Sequence, residues 1–169
     1  MEADIGQPVT EDVERRVRDS FGRQGLMVHL GAVLTEVRRG HVTIRMPFRR
    51  ELSQQHGYFH AGGTSAIADS AGGYAGFTLF PDNSSVLTVE FKMNLLNPAL
   101  GDALEATGRV VKSGRTLTIC QLEVVADAGG RRSVVAIGQQ TLICLAGRPD
   151  AGGRDASHEN EAKSPGRGG

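Results

Sequence analysis

The chemistry in this chain gathers around Asp69. It is the single charge in AGGTSAIADSAGGYAGFTLF, residues 61–80, where half the positions are glycine or alanine. An aspartate in the middle of an apolar helix has poor propensity and a desolvation cost unless something binds it. Such a residue can be a helix face reaching solvent, or a buried carboxylate satisfied by a neighbouring hydroxyl. What precedes it points elsewhere. Gln54-Gln55-His56-Gly57-Tyr58-Phe59-His60 collects amides and imidazoles just ahead of the helix start. There, free N–H groups and the helix dipole favour a developing oxyanion. A helix N-terminus, a carboxylate two turns in and an amide on the entering loop make a workable hydrolytic site without a metal. His56 and His60 have no cysteine or carboxylate partners at ligand spacing, so no metal or cofactor is expected.

The elements that would position these groups follow from periodicity. Each glycine inside a helix costs about 1 kcal/mol against alanine, so a helix over 61–80 needs compensation. Close packing supplies it, with small residues letting a sheet wrap tightly around the helix. The alternative is that Gly62-Gly63 and Gly72-Gly73 mark loops. Residues 26–37 and 41–47 read as strands joined at Arg38-Arg39-Gly40, the second with Val42, Ile44 and Met46 alternating on one face. Further strands are expected over 84–96, 102–112, 115–126 and 132–145, with turns at Asn97-Pro98, Ser113-Gly114 and Gly129-Gly130. Two strands, one helix and four strands make an α+β fold rather than alternating βα units.

The ends differ from this middle. Val9, Val13, Val17 and Phe21 recur every four residues, and Thr10 stands where an N-cap belongs. Residues 1–25 therefore read as a helix and linker, stopped by Gly22 and Gly25 and covering part of a sheet. Residues 26–146 form the main domain. From Gly147 onward no Val, Ile, Leu, Met or aromatic residue occurs, and 147–169 reads as a disordered tail.

Composition closes off other classes. With 169 residues the chain is long enough for one domain. Its 19 basic and 19 acidic side chains leave no net charge to hold nucleic acid. No stretch approaches the roughly 20 apolar residues of a membrane span, and the charged first thirty residues lack the apolar centre of a signal peptide. Cys120 and Cys144 are too few and too far apart for a disulfide framework and read as buried thiols. The expectation is a soluble, cytoplasmic protein without nucleic-acid or membrane partners.

QQHGYFHAGG, then AIADSAGGYA, then VLTVEFKMNLLNPALGD resemble the hotdog-fold thioesterases of the phenylacetic-acid-degradation type, from about Leu26 to Leu145. The resemblance implies a long central helix wrapped by an antiparallel sheet, and protomers joined edge to edge into homodimers that pair into homotetramers. It also implies hydrolysis of an acyl-CoA thioester to a free acid and CoA. Asp69 would be base or nucleophile, and Gln54, fifteen residues earlier, would orient water or the departing sulfur. The Ala61 N–H would polarise the thioester carbonyl, His60 would brace the loop, and Thr88 would help hold the water. The family's HGG reads His60-Ala61-Gly62 here, which keeps the N–H and slightly crowds the carbonyl's approach. The CoA moiety would lie near Gly62, Asn97 and Pro98 and along Lys112-Ser113-Gly114-Arg115-Thr116, where Lys112 and Arg115 could meet phosphates; an ordinary solvated hairpin is the alternative there. Tyr74, Phe77 and Phe80 could border an aryl or an aliphatic acyl pocket. Two other readings share the fold, a dehydratase or hydratase of acyl thioesters and a non-catalytic acyl-CoA sensor.

Overall fold

Apolar and polar residues alternate over residues 41–47, burial alternates over 104–110 and 117–126, and glycines at positive φ close two of the hairpins, at Gly40 and at Gly129-Gly130. The computed structural model describes residues 4–150. In it β1 (Val33–Arg38) and β2 (His41–Pro47) form a hairpin closed at Gly40, whose φ of 64° a side chain would resist. Four further strands follow the central helix: β3 (Ser84–Leu95), β4 (Ala103–Ser113), β5 (Leu117–Ala128) and β6 (Arg131–Ala146). All pairings are antiparallel, in the order β1-β2-β4-β5-β6-β3. This is the α+β hotdog arrangement, six antiparallel strands around one long helix.

Two short helices come first, α1 (Glu11–Gly22) and α2 (Gly25–Leu30), and the central helix is α3 (Ala61–Phe77). α3 packs against β2 through β6. Its glycines are what allow so close an approach. A Cβ on Gly72 would come within 1.9 Å of Gln140 Oε1, and one on Gly76 within 2.5 Å of Leu142 Cδ1. From the sheet side, a Cβ on Gly108 in β4 would stand 2.3 Å from the Gly72 nitrogen. Small residues on both surfaces therefore let the helix sit on the sheet backbone. Ile44, Met46, Ile67, Phe77, Leu104, Leu122 and Leu142 fill the remaining space and are wholly buried. Each such side chain contributes about 1.5–3 kcal/mol of transfer free energy.

α1 begins as its sequence implies, with Thr10 Oγ1 accepting from the Val13 N–H. Val17 and Phe21 are buried. Phe21 meets Tyr74 edge to face at 5.8 Å, and Arg16 lies over the Phe77 ring while donating to the Phe77 and Phe80 carbonyls. The helix thus seals the C-terminal end of α3, where a cation suits the dipole.

Two boundaries differ from the sequence reading. Residues 26–37 are not one strand: α2 occupies Gly25–Leu30 and β1 starts only at Val33. Met27 and Leu30, three apart, are both buried, and Gly31 ends the helix in the left-handed conformation at φ 65°. The short apolar run Leu26-Met27-Val28 mimicked the start of a strand. Gly25 accordingly opens a helix rather than ending one. The first residues of the expected tail also make contacts with the rest of the chain. The Gly147 N–H donates to the Asn83 carbonyl, and Asp150 pairs with Arg23. The remainder of the expected disordered tail, 151–169, lies outside the described residues.

Candidate active site

Asp69 occupies the middle of α3 and is half-buried. Its Oδ1 accepts a hydrogen bond from Thr88 Oγ1 at 2.7 Å and another from Gln140 Nε2 at 2.6 Å. The same amide nitrogen lies 3.0 Å from the Asp69 carbonyl and 2.9 Å from Thr88 Oγ1. Strand pairing explains the convergence. Thr88 of β3 stands opposite Leu142 of β6, beside Gln140, and both strands pass under the middle of α3. The Thr88 hydroxyl is therefore brought to the Asp69 carboxylate.

Asp69 lines a cavity of about 430 Å³. Gly73, Tyr74, Val86, Leu87 and Thr88 share its wall, and Ser20, Arg23, Gln24 and Asp150 close it from the other side. Tyr74 Oη bonds to Ser20 Oγ and Gln24 Nε2, each at 3.1 Å, and burial pushes its phenol up from the ordinary value. Of the three aromatic residues read as possible pocket borders, Tyr74 lines this cavity. Phe77 and Phe80 instead point into the core.

The loop before α3 is built from local bonds. Gln54 closes a turn onto Tyr58 and Gly57, the latter at φ 82°. Its Oε1 accepts from the His56 N–H. His60 is the N-cap of α3, with Nδ1 accepting from the Gly62 N–H at 2.8 Å. That bond occupies Gly62 and leaves the Ala61 N–H without an acceptor among the described residues. Gln54 and Ala61 line a second, smaller cavity of about 170 Å³ with Thr64, Leu95, Asn97 and Pro98.

Within one chain, then, the loop groups and the carboxylate do not meet. Ala61 and Asp69 are eight residues apart on a helix, about 12 Å along its axis at 1.5 Å per residue. They line different cavities. The two segments read as CoA contacts are separated as well. Asn97 and Pro98 lie beyond the Leu95 end of β3, whereas Lys112 to Thr116 span the end of β4 and its exposed turn into β5, at the opposite end of the sheet. Asn97 Nδ2 donates to the Val134 carbonyl, and Ser113 Oγ bonds Thr118 Oγ1. Among the described residues, no three His, Cys, Asp or Glu side chains stand together as metal ligands.

Gln140 is the site residue that the sequence reading missed. It had a signal: Ala136, Gln140 and Leu142 share the buried phase of β6, so a glutamine sits where the alternation calls for an apolar side chain.

Comparison with known proteins places this architecture. Residues 56–133 match the family described as the thioesterase superfamily. The chain is similar to a thioesterase family protein from Silicibacter pomeroyi, at 45% identity and a TM-score of 0.78, over 80% of this chain and 99% of that one. It is 26% identical to the proofreading thioesterase EntH of Klebsiella pneumoniae, over 63% of this chain and 77% of that protein. It also shares its fold with the E. coli PaaI protein of the phenylacetic acid degradation operon, at a TM-score of 0.74 and 18% identity over 83% and 99% of the two chains. With the hotdog sheet, the glycine-lined central helix and a 45%-identical relative covered almost end to end, this chain belongs to the thioesterase superfamily and is a thioester hydrolase.

Proposed function

We propose that the protein hydrolyses acyl-CoA thioesters, with Asp69 as the acting carboxylate. The observation that carries this reading is the carboxylate on the wall of a 430 Å³ cavity, tethered through Oδ1 by Thr88 and Gln140. The thioester carbonyl oxygen accepts from the Ala61 N–H, which has no acceptor among the described residues and lies where the helix dipole stabilises negative charge. Asp69 takes a proton from water as the water oxygen bonds to the carbonyl carbon. Gln54 orients that water or the departing sulfur, and Thr88 helps to hold the water. The carbon–sulfur bond then breaks, the electron pair leaves on CoA sulfur, and the proton returns to the thiolate. Direct attack by Asp69, giving an anhydride that water then opens, uses the same carboxylate.

The 12 Å between Ala61 and Asp69 is too long for one thioester carbon to serve both, so the reading requires a second copy. The sheet offers an edge for it. β1 is short and its outer side is bridged by Pro8, whereas β3 is twelve residues long with Leu87, Val89, Phe91 and Leu95 exposed. Such an edge is a template for pairing. Two β3 strands related by a two-fold axis run antiparallel, which sets the Leu95 end of one beside the Thr88 end of the other. Gln54 and Ala61 of one protomer then face the partner's Asp69. The CoA segments, split within one chain, are reunited across the same axis, with Asn97 and Pro98 from one protomer and Lys112 to Thr116 from its partner. Homodimers of this kind pairing into homotetramers complete the proposed assembly.

Release of free thiol from a panel of acyl-CoAs tests the reaction; no release from any member overturns it. The panel runs from acetyl to palmitoyl and adds phenylacetyl and hydroxybenzoyl. Asp69→Asn is nearly isosteric and should lower kcat roughly 10²–10⁴-fold, with KM little changed. A variant keeping more than half of the wild-type kcat would remove Asp69 from the reaction.

A further inference from the structure

Gln140 has three features that packing alone does not call for. It is a polar side chain only 1% exposed, at an apolar phase of β6. Its Nε2 reaches three oxygens at once: the Asp69 carbonyl, Asp69 Oδ1 and Thr88 Oγ1. Its Oε1 is buried with no hydrogen-bond partner among the described residues. Turning the amide over would not relieve that oxygen, because it would then face two acceptor-only oxygens of Asp69. The orientation is therefore dictated by Asp69. The space for Oε1 exists because residue 72 is glycine, since any Cβ there would overlap it at 1.9 Å. Buried acceptors without partners are uncommon in folded proteins. An amide kept in this state is held for what its nitrogen does.

We propose that Gln140 is a positioning residue for hydrolysis: with Thr88 it clamps Asp69 Oδ1, so that Oδ2 is the carboxylate oxygen that acts on water or on the thioester. This rests on the reading of Asp69 as the acting carboxylate. Thr88 alone cannot fix the carboxyl plane, because one bond to one oxygen leaves rotation about the Cβ–Cγ bond. The Gln140 amide binds both the backbone carbonyl and Oδ1 of the same residue, which restrains the side-chain torsions as well. Oδ2, by contrast, has no hydrogen-bond partner among the described residues.

Gln140→Met keeps the length of the side chain and deletes the donor. It is expected to lower kcat about 10- to 100-fold while KM moves less than two-fold, because the residue touches Asp69 and not the substrate. In the Asp69→Asn background the same substitution should change the residual rate less than two-fold, since its effect passes through the carboxylate. Gln140→Asn, whose shorter amide falls short of Oδ1, supplies the comparison if the methionine variant does not fold. A folded Gln140 variant with more than half the wild-type kcat overturns the proposal. So does an undiminished loss in the Asp69→Asn background, which would mark Gln140 as structural only. Full activity of Asp69→Asn by itself is the separate result that removes Asp69, and the clamp with it.

Discussion

At the scale of single residues, several polar side chains of this protein, one of them fully buried, hold other polar groups still. His60 ties down the Gly62 N–H, Thr88 and Gln140 hold Asp69, and Arg16 covers the end of α3. Much of this was legible. The lone aspartate can be read from its neighbours in sequence, and the bracing histidine and strand hydroxyl from the family resemblance. Gln140 was not, because its partner lies 71 residues away and only strand pairing brings them together. Away from the site, Glu105 shows how charge contributes. Hydrogen bonds from Arg132 foremost, and from Arg45, hold its carboxyl below the ordinary value of 4.5 against the opposing effect of burial. A carboxyl so depressed contributes stability above its unfolded value that is lost as pH falls through its folded one. Glu105→Gln should therefore lower the melting temperature at pH 7. The gap from wild type should narrow as the pH drops below about 4.5. Thermal denaturation from pH 7 to pH 3 measures it, and a gap that stays constant would contradict the ion pairs.

Elements here are decided by contact more than by propensity. α3 contains three glycines in its middle and last turns, yet stays helical because two of them face crowded surfaces. Gly73 does not: a Cβ there meets nothing within 4 Å. Gly73→Ala should recover helix propensity of about 0.5–1 kcal/mol, raising the melting temperature by roughly 2–4 °C. The added methyl would also narrow the wall beside Asp69 and so shift preference toward smaller acyl groups. Gly108→Ala is the opposite case, since its Cβ would strike α3 backbone at 2.3 Å. It should destabilise by more than about 3 kcal/mol or prevent folding. Equal melting temperatures for the two variants would refute this account of the glycines. The sequence reading found α3 and five strands within a few residues. It lost α2 because a six-residue segment is too short to display a helical period and its Leu26-Met27-Val28 reads as an apolar strand run.

For the whole molecule, the question is whether each site is built by two chains. Gln54→Ala and Asp69→Asn homodimers should each be weak. Mixed under conditions that exchange subunits, about half the dimers become mixed, and each of these holds one doubly damaged and one intact site. Activity should then recover to about a quarter of wild type. If both residues served the same site from one chain, every site would stay singly damaged and mixing would restore nothing. Mass spectrometry of the mixture verifies exchange, so recovery without mixed dimers, or mixed dimers without recovery, would each exclude the shared site.

Beyond the hotdog arrangement, which came from family resemblance, the local sequence carried the order of strands and central helix, the lone carboxylate and the loop that precedes it. Those features depend on residues within a turn or two of one another, where alternation, capping and glycine content act directly. Only the folded chain settled what Asp69 touches, which glycines bear contact, what Gly147 and Asp150 pair with and which edge of the sheet is open. Each of these depends on pairing between residues tens of positions apart. Register sets those meetings, and register is a property of the assembled sheet. Gln140 could reach Asp69 only once β6 had paired with β3 and both had closed beneath the helix.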